Sequence, residues 1–115
     1  MAKISMQGKG NGNDIAELIT REMESSGMST QLVDSITRQT GDLYMHILVF
    51  EKYYMRSSNR ASLTVVVTDA DHDIKVDAIG AGGGQGVFFR FSWGAEESFV
   101  SVIEEILRRE NFTEI

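Results

Sequence analysis

The chain contains no cysteine and no proline among its 115 residues. The absence of cysteine excludes disulfides, thiolate-bound zinc, iron–sulfur clusters and a cysteine nucleophile. The absence of proline means that glycine and polar residues must mark the turns. No apolar run is long enough to cross a bilayer, and the first ten residues, MAKISMQGKG, lack the apolar segment of a signal peptide. We therefore expect a cytoplasmic protein with no membrane span.

Basic residues are also scarce, because 11 Lys and Arg stand against 17 Asp and Glu, for a formal net charge of −6. Nonspecific binding to nucleic acid needs a dense cationic face, so no nucleic-acid partner is expected. Apolar residues make up 42% of the chain, enough for the core of one small domain. The sequence predicts a single domain over residues 1–115.

The spacing of apolar residues predicts two helices. Asp14 and Glu17 fit a capping box at the start of the first helix, which ends near Gly27. The second helix is predicted over residues 95–109, with acids in its first turn and arginines in its last. Its buried stripe is predicted to consist of Phe99, Val102, Ile103 and Ile106.

Alternating or apolar segments predict strands at 3–7, 28–40, 43–55, 61–68, 74–81 and 87–91. In the second of these, Leu32, Asp34 and Ile36 are expected to share one face. The strand at 43–55 is apolar on both faces near its middle, which indicates a central strand covered on one side and facing a cavity or partner on the other.

The predicted fold class is α+β, in the order β-α-β-β-β-β-β-α. Short connections favour a meander, and one curved antiparallel sheet of about five to six strands, with both helices on one face, buries two amphipathic helices most simply. A sheet wrapped around a long C-terminal helix is helix-grip-like, by analogy of element order alone.

Five glycines lie within residues 80–86, in the stretch AIGAGGGQGVFFRF. A phosphate-binding Walker loop is excluded because no Lys and Ser/Thr follow the last glycine, and a dinucleotide fingerprint is excluded because no helix is predicted directly after the glycines. Three interpretations remain. The glycines form an anion nest with Arg90 nearby, or provide a strand connection with positive φ angles or a bulge. The third is a mobile flap over a pocket, which overlaps with the second.

Two histidines and an acidic turn are the other candidates for chemistry. His46 is expected on the same strand face as Tyr44, Leu48 and Phe50, where a general acid–base role is one option and a half-buried structural histidine the other. The turn DADHD at 69–73 lacks the EF-hand spacing, and a solvated hairpin tip is predicted instead. No metal site and no cofactor are predicted.

Aromatic residues next to arginine are typical of interfaces. Tyr53 and Tyr54 must point to opposite faces of their strand, and Arg56 follows them. A protein interface at these three residues and a tyrosine packed over a hairpin are both open at this point.

The segments FEKYYMRSSNRASL and FFRFSWGAEESF, with the GGG stretch between them, resemble an uncharacterised family of short bacterial cytoplasmic proteins that contain a domain of unknown function. The resemblance covers roughly the C-terminal two-thirds of the chain and includes Gly94, Ala95, Glu96 and Glu97 at the start of the last helix. It implies a small bacterial cytoplasmic protein and brings no activity or site residues.

The first functional hypothesis is noncatalytic binding of a small or amphipathic ligand between the sheet and the C-terminal helix. Its predicted contacts are Gly82, Gly83, Gly84, Arg90, His46 and Phe50. The second hypothesis, self-association as a homodimer through a sheet edge or the aromatic face, assigns the interface to Tyr53, Tyr54 and Arg56. The third is an enzyme that uses His46 and Arg90. An apolar strand face and the element order favour the first.

Overall fold

The computed structural model describes residues 2–26, 30–54, 59–82 and 89–115 of the chain. They form one six-stranded antiparallel sheet with two helices, which confirms the predicted α+β class. The elements in chain order are β1 (Ala2–Lys9), α1 (Gly12–Glu24), β2 (Thr30–Thr40), β3 (Leu43–Tyr54), β4 (Asn59–Ala70), β5 (Asp73–Gly82), α2 (Phe89–Arg109) and β6 (Thr113–Glu114).

The strand order across the sheet is β2-β3-β4-β5-β1-β6. Strands β2 to β5 form the expected meander, and β1 adds antiparallel to β5 with Ile4 opposite Ala78. Helix α1 packs on β2, β3 and β4, and α2 packs on β4, β5 and β1. Both helices therefore cover one face of the sheet, and no described helix covers the other, which we call the open face.

The core lies between the helices and the covered face. Alternation along the strands brings one side chain in two into it: in β4, Leu63, Val65 and Val67 are fully buried, whereas Thr64 and Val66 on the open face are only half-buried. The helices contribute apolar stripes at helical spacing. The buried helical residues include Ile15, Ile19 and Met23 of α1 and Phe99, Val100, Ile103, Ile106 and Leu107 of α2. Of the predicted α2 stripe, Val102 is half-buried at its margin.

Helix α1 begins three residues earlier than predicted, since its N-cap is Asn11 and not Asp14. Asn11 is its N-cap, with extended backbone angles, and Asn11 Oδ1 accepts a hydrogen bond from Asp14 N–H at 3.1 Å. The predicted capping box from Asp14 to Glu17 is therefore wrong, because Asp14 already lies in the first turn. An asparagine side chain satisfies a free N–H of the first turn as well as an aspartate does.

Strand β2 contains an irregularity that reverses the predicted face of one residue. Leu32 pairs with Phe50, and Asp34 pairs with the next residue of β3, Val49, so Val33 is left without a partner. This extra residue places Leu32 on the covered face and Asp34 and Ile36 on the open face. The prediction that all three share a face is wrong, since it assumed an unbroken strand.

Helix α2 begins at Phe89, six residues before the predicted start. Residues 89–91 are helical, so the strand predicted at 87–91 is wrong over that part, and 87–88 lie outside the described residues. The sixth strand is β6, formed from the C-terminal tail, which pairs with Met6 and Gln7 of β1. Asn111, with φ of 66°, ends α2, because asparagine tolerates the left-handed conformation that turns a chain out of a helix.

None of the described helices is long and apolar enough to cross a membrane.

Candidate functional site

An open groove lies between α1 and the strands β2 and β3, on the covered face of the sheet; we call it the α1 groove. One half, of about 550 Å³, runs along the helix from Asn13 to Ser25. The other half, of about 570 Å³, lies at the helix N-terminus beside the β4–β5 turn. Asn13, Thr37 and His46 line both halves. Each half has the size of a small-molecule site.

His46 lies at the junction of the two halves and is 7% exposed. It is opposite Thr37 in the β2–β3 pairing, and its Nδ1 lies 3.2 Å from Thr37 Oγ1. Among the described residues no partner is found for the second ring nitrogen, Nε2. A histidine that lines a groove with one ring nitrogen unpartnered among the described residues is suited to bind a polar group of a ligand.

Asp69 holds the N-terminus of α1 against the sheet. Its Oδ2 accepts the backbone N–H of Gly12 at 2.8 Å, and its Oδ1 accepts the N–H of His72 at 2.8 Å. The residue is 7% exposed. A carboxylate at this position is favoured by the free N–H groups and the dipole of the helix. Asp69 therefore fixes the wall of the groove, and both of its oxygens are already occupied.

His72 closes the N-terminal end of the groove. It is in the left-handed conformation, with φ of 69°, and its Nδ1 lies 3.1 Å from the carbonyl oxygen of Gly10. Since a carbonyl oxygen only accepts hydrogen bonds, Nδ1 of His72 is the protonated nitrogen in this contact. A second bond, from Gly10 N–H to His72 O at 3.1 Å, fixes the turn to the end of β1.

The lining of the groove is acidic. Its carboxylates are Glu17 and Glu24 in the helical half and Asp42, Asp69 and Asp71 in the other half, and its guanidinium is Arg21. Tyr44 lies at the same end, 42% exposed, and its hydroxyl accepts a hydrogen bond from Gln39 Nε2 at 3.1 Å. Among the lining residues that the structure describes, five acids against one arginine disfavour an anionic ligand and favour a cationic one. Among the described residues, no group of three His, Asp or Glu side chains is arranged to hold a metal ion.

The predicted ligand residues are not gathered at this groove. His46 lines the groove. Phe50 lies four residues further along β3 and is fully buried in the core. Gly82 is the last residue of β5 and pairs with Ala61. Gly83 and Gly84 lie outside the described residues, and Arg90 lies in the first turn of α2. The assignment of these residues to one site stays a prediction.

The first glycines of the 80–86 stretch belong to β5 rather than to a turn. Gly80 is buried in the strand and pairs with Ala2 and Leu63. Neither Gly80 nor Gly82 has a positive φ angle. The predicted need for positive φ is therefore wrong at these two positions, and the anion nest at 83–86 lies outside the described residues.

The structure describes only part of the aromatic interface that was predicted at Tyr53, Tyr54 and Arg56. Tyr53 is 43% exposed on the open face, and the guanidinium carbon of Arg60 lies 6.0 Å from the centre of its ring. Arg60 also forms an ion pair with Glu51 at 3.6 Å. Tyr54 ends β3 opposite Asn59, and Arg56 lies outside the described residues. Arginine does accompany Tyr53, but it comes from the neighbouring strand.

The chain matches a known protein-family model. A model described as a family of unknown function, DUF6054, matches residues 1–111. The chain belongs to this family. The match extends beyond the C-terminal two-thirds in which the sequence resemblance was found, and includes α1 and the whole α1 groove. No curated protein sequence matches the chain.

Sequence reasoning missed most of the groove in this DUF6054 member. Asp69 was assigned to a solvated turn, although alternation from Leu63 through Val65 and Val67 places it on the covered face. That alternation was a usable signal for a buried carboxylate. Thr37 and Asn13 carried no signal, because their role depends on where α1 crosses the sheet.

Proposed function

We propose that the protein is a noncatalytic binding domain for a small cationic ligand, and that the ligand binds in the α1 groove. The observation that carries the proposal is His46, which is buried at the junction of both halves with its Nε2 unpartnered among the described residues. The volume of each half fits a small molecule. A noncatalytic role is favoured because Asp69, which lines the groove together with His46, already accepts two backbone N–H groups.

The acidic lining supports a ligand that carries an ammonium group. In the half beside the β4–β5 turn, Asp42 and Asp71 accompany the occupied Asp69, and none of the described lining residues of that half is a lysine or arginine. The ring of Tyr44 offers a face for a cation in the same half. The other half contains Leu32 and Leu48 next to Arg21 and Glu24, which suits an apolar portion of an amphipathic molecule.

The first hypothesis placed the ligand under the C-terminal helix. In the described part of that helix, Ile103 and Leu107 are fully buried against the sheet, and the two large cavities described above both lie along α1. We therefore assign the ligand to the N-terminal helix. The enzyme that uses His46 and Arg90 stays a prediction, with His46 in β3 and Arg90 in the first turn of α2.

A two-dimensional amide NMR titration tests the proposal with three probes: ethanolamine as the cationic probe, ethylene glycol as the neutral one and inorganic phosphate as the anionic one. We expect ethanolamine to shift the amides of Asn13, Thr37 and His46, and the other two probes to leave them unchanged. The variant His46→Leu should abolish these shifts. The control variant Thr64→Val lies on the open face of β4 and should keep them.

Native mass spectrometry of protein purified from its own host identifies the natural ligand. A bound mass that is present in the wild type and absent in His46→Leu supports the α1 groove. A bound mass that His46→Leu retains would contradict the site, and no ethanolamine shift at millimolar concentration would contradict the ligand class. Thermal unfolding of each variant shows that its fold is intact.

A further inference from the structure

The strand β2 is one edge of the sheet, and its sequence is complementary to itself. Asp34 and Arg38 lie two residues before and two residues after Ile36. In an antiparallel pair of two β2 strands centred on Ile36, each Asp34 is opposite the Arg38 of the other copy, and the two Ile36 side chains are opposite each other. We propose that two copies of the chain associate through β2 in this register.

The three side chains lie on the same face of the sheet. Asp34, Ile36 and Arg38 are opposite Val49, Ile47 and Met45 of β3, which places them all on the open face. Their β3 neighbours are apolar, and among the described residues neither Asp34 nor Arg38 forms an ion pair. The charges of β2 are therefore available to a second chain, and Ile36 with Ile47 would continue as one apolar strip across the two copies.

The edge of β2 is long and accessible. Residues 33–40 are all exposed, with Val33 at 51% and Ile36 at 42%. A long exposed edge strand has a row of backbone N–H and C=O groups that invites another strand. The opposite edge is unlike it, because β6 has two residues and its Glu114 forms an ion pair with Arg108 at 3.7 Å. Of the two edges, β2 is the one suited to pairing.

The backbone hydrogen bonds of β2 support the register. Ser35 N–H donates to Asp34 Oδ1 at 2.8 Å, and Thr37 C=O accepts from Arg38 Nη1 at 3.3 Å. Both backbone groups are bound by charged side chains of their own strand. Ser35 and Thr37 are two residues apart, so their backbone groups point to the same side of the strand. A second β2 centred on Ile36 would pair Ser35 with Thr37, and would release Asp34 and Arg38 to pair with each other.

The pairing also extends the α1 groove. Ser35 and Thr37 line the groove from the β2 side, where it is open to solvent. In the proposed dimer the Thr37 of the other copy lies beside Ser35, so each groove gains a floor from its partner. The dimer stands on the edge geometry alone and does not require that the proposed ligand is correct.

Sedimentation equilibrium with charge reversal tests the interface. The wild type should have twice the chain mass at micromolar concentration. Asp34→Arg and Arg38→Asp each place like charges opposite one another twice in the dimer, and each should raise the dissociation constant about tenfold or more. The double variant D34R/R38D restores opposite charges with no change in net charge, and should restore the dimer. The control variant Lys3→Glu lies on the open face of β1. It changes the net charge by as much as Arg38→Asp does, and it should leave the dissociation constant of the dimer unchanged.

Three results would overturn the proposal: a wild-type monomer, a dimer that neither single reversal weakens, or a double variant no better than the single ones. Asp34 and Arg38 would then serve to cap the edge and keep other strands away. The dimer variants change Asp34, Arg38 and Lys3, none of which lines either half of the groove, so failure of the dimer leaves the proposed function standing.

Discussion

Gly12 and Asp69 are in such close contact that a Cβ atom added to Gly12 would lie 2.7 Å from Cβ of Asp69. The contact joins the first turn of α1 to the end of β4, 57 positions away in the chain. It is short because the N–H of Gly12 points directly at the carboxylate. A glycine is required here for the approach of two segments, and its φ angle plays no part.

Removing the carboxylate of Asp69 should destabilise the fold strongly. Asp69→Ala leaves the N–H groups of Gly12 and His72 without their acceptor, and we expect a loss of about 3 kcal/mol in the free energy of unfolding. Asp69→Asn keeps one acceptor and should lose less. Urea denaturation measures both. As a control, Asp73→Ala removes exposed ion pairs to Lys9 and Lys75 and should cost under about 1 kcal/mol; equal losses for Asp69 and Asp73 would contradict the anchoring role.

A methyl group at Gly8 should overpack the contact between β1 and the C-terminal tail. The added Cβ would lie 2.6 Å from Cδ1 of Phe112, and Phe112 is 2% exposed. We expect Gly8→Ala to cost about 1–3 kcal/mol. In a double-mutant cycle with Phe112→Leu, the combined loss should be smaller than the sum of the single losses, because the smaller side chain leaves room for the methyl group. Additive losses would show that Phe112 is not the obstacle.

The free energy of unfolding should rise with pH in the alkaline range because of Lys52. This residue is 4% exposed, and burial lowers its pKa below the usual value of 10.5. Between the folded and the unfolded pKa the unfolded chain binds more protons, so stability increases as the pH rises through this window. Below the pKa of Lys52 in the folded protein, burial of the charged amine lowers the free energy of unfolding by its full amount.

Urea denaturation of the wild type and of Lys52→Met, from about pH 8 to the usual lysine pKa, checks this dependence. The variant has no amine to titrate, so its stability should rise less over the same range. Other groups titrate equally in both proteins and cancel in the difference. Parallel pH profiles for the two proteins would contradict the lowered pKa of Lys52.

The ion pair between Arg109 and Glu22 should contribute little, although it joins the two helices. Nη2 of Arg109 lies 3.1 Å from Oε1 of Glu22, and the two side chains are 65% and 33% exposed. Exposed pairs of this kind are worth about 0–1 kcal/mol. A double-mutant cycle with Arg109→Ala and Glu22→Ala should give a coupling energy in that range, and molar salt should reduce it. A larger, salt-independent coupling would show that the pair is shielded from solvent.

Sequence reasoning located the fold better than the site. Apolar alternation identified β3 and β4 and placed His46 on the face of Leu48, because burial of one strand face is visible within the strand itself. It failed at β2, where one extra residue near Val33 reverses the faces on either side of it. It also failed at the start of α2, since the aromatic residues at 88–91 are compatible with either a strand or a helix.

The sequence by itself determined the α+β class, the meander and the two apolar helix stripes, since each of these follows from the period of side chains along one segment. It also determined an acidic chain without cysteine chemistry. The α1 groove was decided only by tertiary structure. Asn13, Thr37, His46 and Asp69 come from four different elements, and they meet because Asp69 holds the N-terminus of α1 over β3 and β4. A contact of that kind depends on how two elements cross, and the spacing of apolar residues along one segment does not reveal it.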